Sequence, residues 1–431
     1  VAHIRGWETA VQRRHITGLI AAAAALGMAG TLTACGGTGS GDVTLKLVAA
    51  DYGDSTANSS QKYWDALAAA YEKDHPDVRV EVSVYSWNDV DAKVKDMVDA
   101  GKAPDMAQIG AYADYAAAGK LYPVGDLLDV PTQADFLPQL SDAGKVDSTQ
   151  YGMPFASSTR LLFYNKKLFK DAGITPPTTW AELEADAKAL KADGVRIPYA
   201  LPLGSEEAQA ETMIWMLSGG EAYTDDVGSY TIDSKQNIET FDWLKNDLVG
   251  KGLTGPTAPA KLNRADAFAA FAKGEVGMLN GHPTLMQMAA KKGVDYGTVR
   301  LPGPDGPARS TMGVADWMMA FKQNGHREEV GDFLNYVYNE KNVLDFSREY
   351  DLLPVTNSAS EAMSAATEDK KLWPFLASLT NSEIYPVGKT SWASVSADVK
   401  QQIGSAVAPN GSPAAVLGRI QNQAAAAEAA E

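Results

Sequence analysis

The sequence predicts a two-lobed α/β protein, each lobe a mostly parallel sheet flanked by helices. Three observations predict it. The chain has 431 residues, beyond the roughly 250 to 300 at which single hydrophobic cores stop growing. Its composition, 45% hydrophobic and 21% charged, is that of a globular chain. Apolar runs of period two alternate with apolar runs of period 3.6, the order of strands and crossover helices in a parallel sheet.

The first stretch reads as an address. Arg13 and Arg14 precede an apolar, Ala-rich run ending at Leu32, Thr33, Ala34 and Cys35, which together form the parts of a signal peptide over 1–35. The LTAC ending resembles a bacterial lipobox, in which the cysteine takes a lipid. Cys35 is the only cysteine, so no disulfide can form within the chain. Residues 36–42, GGTGSGD, read as a flexible tether.

The body begins with a strand in which Val43, Leu45 and Leu47 alternate with polar residues. Trp64, Leu67, Ala68 and Tyr71 follow at helical spacing, and Pro76 stops that helix. Val78, Val80, Val82 and Val84 alternate strictly as the next strand. A helix carrying Val90, Val94 and Val98 ends at Gly101, and Asp105 to Ile109 gives a third strand. Leu161 to Tyr164 is a short apolar run fit for a buried strand. Thr179 and Glu182 have the spacing of a capping box, opening a helix with Trp180, Leu183, Ala187 and Leu190 on one face. Further apolar helix faces lie at Ala210, Met213, Ile214 and Leu217, at Ile238, Phe241 and Leu244, and at Val330, Phe333, Leu334 and Val337. Leu301 to Gly306, LPGPDG, is a turn by composition.

The run LLFYNKKLFKDAGITPPTTWAELEADAKAL, Leu161 to Leu190, resembles the crossover region of the family 1 extracellular solute-binding proteins, the carbohydrate-binding components of ABC importers. Tyr164, Asn165 and Lys166 match the family's YNK triplet. Ala172 to Ile174, Pro176, Pro177, Thr179, Trp180, Glu182 and Leu183 match the run after it, and GKAPDMAQIG resembles its APD element. The resemblance implies a type II periplasmic-binding-protein fold with a multi-strand hinge. It places 43–158 and 276–320 in one lobe and 161–273 and 323–425 in the other, with three crossings between them. It also implies a monomer that binds a carbohydrate and delivers it to permease subunits.

Composition and motifs exclude other classes. The formal charge is -16, which repels nucleic acid. The chain has no HExxH and no paired CxxC, and only His75, His282 and His326 follow the signal peptide, so neither metal nor cofactor is expected. Gly388-Lys389-Thr390 ends like a phosphate-binding loop, but Glu383 stands where its first glycine belongs. Glu206-Glu207 and Asp225-Asp226 are read as solvated acids rather than a hydrolytic pair. No enzymatic role is expected.

A sugar site combines aromatic faces with carboxylates, amides and guanidinium groups. Helical spacing assigns Trp64, Trp180 and Trp243 to packing. The candidates lie instead at strand ends and crossings. Asp51 and Tyr52 follow the first strand, Trp87 the valine strand and Tyr112 the APD element. Arg160 stands at the crossover, and Trp215 on what reads as the polar side of its helix. By the resemblance, Asn280 and His282 sit on the strand returning to the first lobe, and Asp316 and Trp317 in the loop before the third crossing.

Overall fold

Alternating apolar residues build two sheets. The computed structural model describes residues 43–53 and 56–430, so the expected signal peptide, tether and Cys35 lie outside the described residues. The strands are β1 Val43–Ala50, β2 Val78–Tyr85, β3 Met106–Ile109, β4 Lys145–Val146, β5 Thr149–Gln150 and β6 Met153–Thr159. They continue as β7 Leu161–Asn165, β8 Ile197–Tyr199, β9 Val276–Gly281, β10 Tyr296–Val299, β11 Thr311–Ala320 and β12 Ser382–Glu383. The first sheet runs β2-β1-β3-β11-β12, with β6 also on β11. Strand β1 is parallel to β2 and β3, and β11 is antiparallel to β3 and β6. The helix Ser60–Asp74 makes the β1–β2 crossover, burying Trp64, Leu67, Ala68 and Tyr71 as its spacing requires.

The second sheet runs β10-β7-β9-β8 and is mixed: β8 and β9 are parallel, and β7 is antiparallel to both of its neighbours. Strands β7, β8 and β9 are buried on both faces, period two sending Leu162 into one core and Leu161 and Phe163 into the other, while the edge strand β10 is only half-buried. After β7, Asn165 caps the helix Lys166–Ala172, and Gly173 ends it at φ 68°. Thr179 and Glu182 make the reciprocal capping box of the helix Trp180–Ala192.

Packing redraws the expected halves. Strands β9 and β10, expected with 276–320 in the first lobe, pair with β7 and β8 in the second sheet. The chain rejoins the first sheet only at β11, beyond the Leu301–Gly306 turn. The helices between Arg327 and Leu379, expected in the second lobe with 323–425, lie on the first core. Val330, Phe333, Leu334 and Phe375 belong to that core, and Phe333 meets the Tyr71 ring at 5.1 Å. Periodicity shows that a helix has an apolar face but carries no information on which sheet that face covers. From Trp392 on the chain returns to the second core, the helices Trp392–Gln402 and Pro413–Glu428 through Val395, Val399, Leu417 and Ile420. The three passages between sheets therefore run at 159–161, 300–311 and 384–391. Thr311 Oγ1 ties the first two together by donating to the Arg160 carbonyl at 2.7 Å.

Candidate functional site

The carboxyl ends of β1 and β2, where open α/β sheets hold ligands, present one half of the site. Tyr52 stands just after β1. Its hydroxyl donates to Asp316 Oδ2 at 2.7 Å and accepts from Gln108 Nε2 at 2.9 Å. Trp87, after β2, meets the Tyr52 ring edge-on at 5.4 Å and remains 37% exposed, an apolar surface open to solvent. Asp316 belongs to β11 rather than to a loop, at a bulge where the register against β6 shifts between Asp316 and Trp317. Burial pushes its carboxyl up to about 7, the Tyr52 hydrogen bond opposing.

The other half surrounds Arg160, which lies between β6 and β7. Its guanidinium donates to Ser158 Oγ at 3.0 Å and sits 3.7 Å from Glu207 Oε1. Glu207 also pairs with Arg264 Nε at 2.6 Å, and Arg264 Nη1 lies 2.6 Å from His282 Nε2. Burial and the charges of Arg160 and Arg264 hold His282 well below its ordinary value, so its imidazole is neutral. Nε2 then accepts from Arg264 and the ring proton sits on Nδ1. Glu211 Oε1 accepts from Asn280 Nδ2 at 3.0 Å and from Trp215 Nε1 at 2.8 Å. Burial outweighs both bonds and pushes Glu211 up to about 8, so it is mostly protonated at neutral pH. The Tyr385 hydroxyl is buried beside this cluster with no hydrogen-bond partner among the described residues, and burial, then the Glu207 charge, raise it.

Arg160 joins the two halves: it donates to Ser158, whose strand partner Val314 lies two residues before Asp316 on β11. The Arg160 charge acts on both Asp316 and His282. Tyr52, Trp87, Arg160, Asn280, His282 and Asp316 are thus brought together. Three other candidates are not, and a fourth, Trp215, reaches the cluster only through its Nε1 bond to Glu211. Asp51 accepts from Gly53 N, Ser60 N and Ser59 Oγ. Burial raises its pKa, but those bonds prevail and hold the carboxyl below its usual range; it shapes the loop. Tyr112 and Trp317 are buried with their rings 5.1 Å apart. They fit because Gly152 has no Cβ, which would stand 2.8 and 2.9 Å from their ring atoms. Trp215 sits on the helix Ala208–Gly219, which is buried on nearly every side and has no polar face, among Tyr199, Trp180 and Trp243.

Sequence reasoning missed Gln108, Glu211, Arg264 and Tyr385, and it read Glu207 as a solvated acid where the fold pairs it with Arg160 and Arg264. One signal was available for the acids: Glu207 and Glu211, four apart at the start of an apolar helix, share a face. Arg264 and Tyr385 offer no local sign, since a folded chain alone brings them to Glu207. The phosphate-loop-like Lys389 is engaged, 2.5 Å from Glu428 and over the Tyr230 ring. No cluster of metal-ligating side chains occurs among the described residues.

Comparison with known proteins agrees with this architecture. A family model described as bacterial extracellular solute-binding protein matches residues 66–374. A binding protein of Brucella abortus (strain 2308) is 27% identical over 381 residues, covering 86% of this chain and 90% of that one. An sn-glycerol-3-phosphate-binding periplasmic protein of Brucella melitensis is 28% identical over 273 residues, 57% of this chain and 59% of its own. Among solved structures, the cyclic alpha-maltosyl-1,6-maltose binding protein from Arthrobacter globiformis superposes with a TM-score of 0.77 at 20% identity. That match covers 91% of this chain and 100% of the other.

Proposed function

This chain belongs to the bacterial extracellular solute-binding proteins, and on that premise we propose that it is the sugar receptor of an ABC importer. It binds a mono- or oligosaccharide between Tyr52, Trp87 and Asp316 on one side and Arg160, Asn280 and His282 on the other. It releases the sugar to permease subunits without changing it. It works outside the cytoplasm as a monomer, held to the outer face of the membrane by lipid on Cys35. A ligand touching both halves stabilises the closed arrangement, because only there are all contacts made.

The charge balance of the site carries the reading. Arg160 and Arg264 lie against Glu207 and Arg264 also against Glu206, two cations to two carboxylates, while Glu211 is mostly protonated and His282 is neutral. A ligand therefore meets an array of donors and acceptors with little net charge, beside the exposed Trp87 face. That suits a neutral polyhydroxyl compound, whose C–H faces stack on aromatic rings.

A second reading is a polyol or glycerol phosphoester, favoured by two arginines in one site and by the Brucella melitensis relative. It requires Glu207 to give up one of its partners to the phosphate. A thermal-shift screen of sugars and glycerol 3-phosphate, followed by calorimetry, separates the two. Stabilisation by a sugar alone supports the first reading, and stabilisation by the phosphoester alone replaces it. Lipid labelling tests the anchor: Cys35→Ser should abolish incorporation, and equal labelling of the variant would refute it.

A further inference from the structure

The passages at 159–161 and 300–311 border a second cavity, of about 410 Å³, within the range of small-molecule sites. Apart from Arg160, it shares no residue with the cleft. Its walls come from both halves of the molecule: β10 and the Leu301–Thr311 return on one side, the helix Trp373–Leu379 and Asn381 on the other. Leu161, Val299, Leu301 and Pro374 supply its apolar side. The walls are held in place by hydrogen bonds. Ser218 Oγ donates to the Pro302 carbonyl at 2.6 Å, the Trp180 backbone N–H to the Gly303 carbonyl at 2.8 Å, and Thr311 to Arg160 as above.

Charge at this cavity runs against the rest of the chain. Acids outnumber bases 54 to 38, yet neither Asp nor Glu lines it, whereas Arg160, Arg300 and Arg309 do. The Arg160 guanidinium is engaged by Ser158 and Glu207. Arg300 bonds only the carbonyls of Ala308 and Arg309, at 2.5 and 3.5 Å. Neither Arg300 nor Arg309 has a carboxylate partner among the described residues, and both are exposed. Two guanidinium groups without carboxylate partners beside an apolar wall suit a ligand with an anionic head and an apolar body.

We propose that this cavity is a second binding site, for a small organic anion with an apolar body, separate from the cleft and independent of what the cleft binds. The test is calorimetry of the full chain with hexanoate, and with hexanol as the uncharged probe of equal length. Hexanoate should bind at least about tenfold more tightly than hexanol, since a charge-assisted bond to arginine contributes on that scale. Arg300→Ala with Arg309→Ala should remove that difference. Ala377→Trp, which fills the cavity from an exposed position, should abolish binding, and its melt without ligand checks that it folds. Should it not fold, the arginine variant decides alone. Trp87→Ala, in the cleft, should leave hexanoate affinity unchanged. Hydrogen exchange should slow at the amides of 300–311 when hexanoate binds. Equal affinity for hexanol, a wild-type response in the arginine variant, or a loss in Trp87→Ala as large as in that variant would each overturn the proposal.

Discussion

Trp87 and Trp317 show how little residue type says about role. Both are tryptophans near strand ends, yet Trp87 is 37% exposed and Trp317 wholly buried. Trp317→Ala is expected to cost about 3–5 kcal/mol as a large core truncation, read as a drop in the ligand-free melt. Trp87→Ala should leave that melt nearly unchanged while weakening sugar binding roughly thirtyfold, about 2 kcal/mol. Glu211 gives a pH signature. Its carboxyl is pushed from an ordinary 4.5 up to about 8, so the folded protein holds a proton that the unfolded chain releases. Its stabilisation is therefore full below pH 4.5 and is lost as pH rises through 8, on the order of a few kcal/mol. Glu211→Gln keeps the acceptor for Trp215 and Asn280 without titrating, and its melting temperature should fall less over that window. Asp186 and Asp316, both raised to about 7 by burial, leave a residual slope of the same sign. Identical slopes in wild type and Glu211→Gln would show that Glu211 is already ionised.

Whole elements were legible wherever a local rule suffices to make them. The capping box at Thr179 and Glu182 needs only neighbours in sequence, and it forms as spaced, with bonds of 3.1 Å in each direction. Thr179→Ala should cost about 1 kcal/mol, read as a small fall in melting temperature with sugar affinity unchanged; a change in affinity would tie this helix to the site. Strand β11 shows where local rules stop. The resemblance places Asp316 and Trp317 in a loop, and the pairing with β3 and β6 that makes them part of a strand joins residues more than 150 positions apart. The Tyr52 hydroxyl satisfies the Asp316 carboxylate within that strand.

At the scale of the molecule, the third passage is set against the β4–β5 hairpin, which forms a two-stranded sheet of its own. The β4–β5 hairpin turns through Asp147 and Ser148 at φ 48° and 67°. A Cβ on Gly388 would collide with the Lys145 carbonyl of that hairpin, so only glycine permits the approach. Gly388→Val should drive the two halves apart. Small-angle scattering should then give a larger radius of gyration, and sugar affinity should fall at least tenfold, since closure is needed for all contacts. An unchanged radius with unchanged affinity would show that this contact does not limit closure. The sequence by itself determined the α/β class, the helices with a periodic apolar face, the cap at Thr179, the family likeness around Leu161 to Leu190, and Tyr52, Trp87 and Arg160 as candidates. Each depends on periodicity, on short-range spacing or on position at a strand end. Tertiary structure alone decided that 327–379 covers the first sheet, that β9 and β10 stay in the second, and that Glu207, Arg264, His282 and Tyr385 meet around Arg160. Strand partners and buried charge clusters depend on which distant surfaces come into contact, and neither hydrophobic period nor residue type encodes that choice locally.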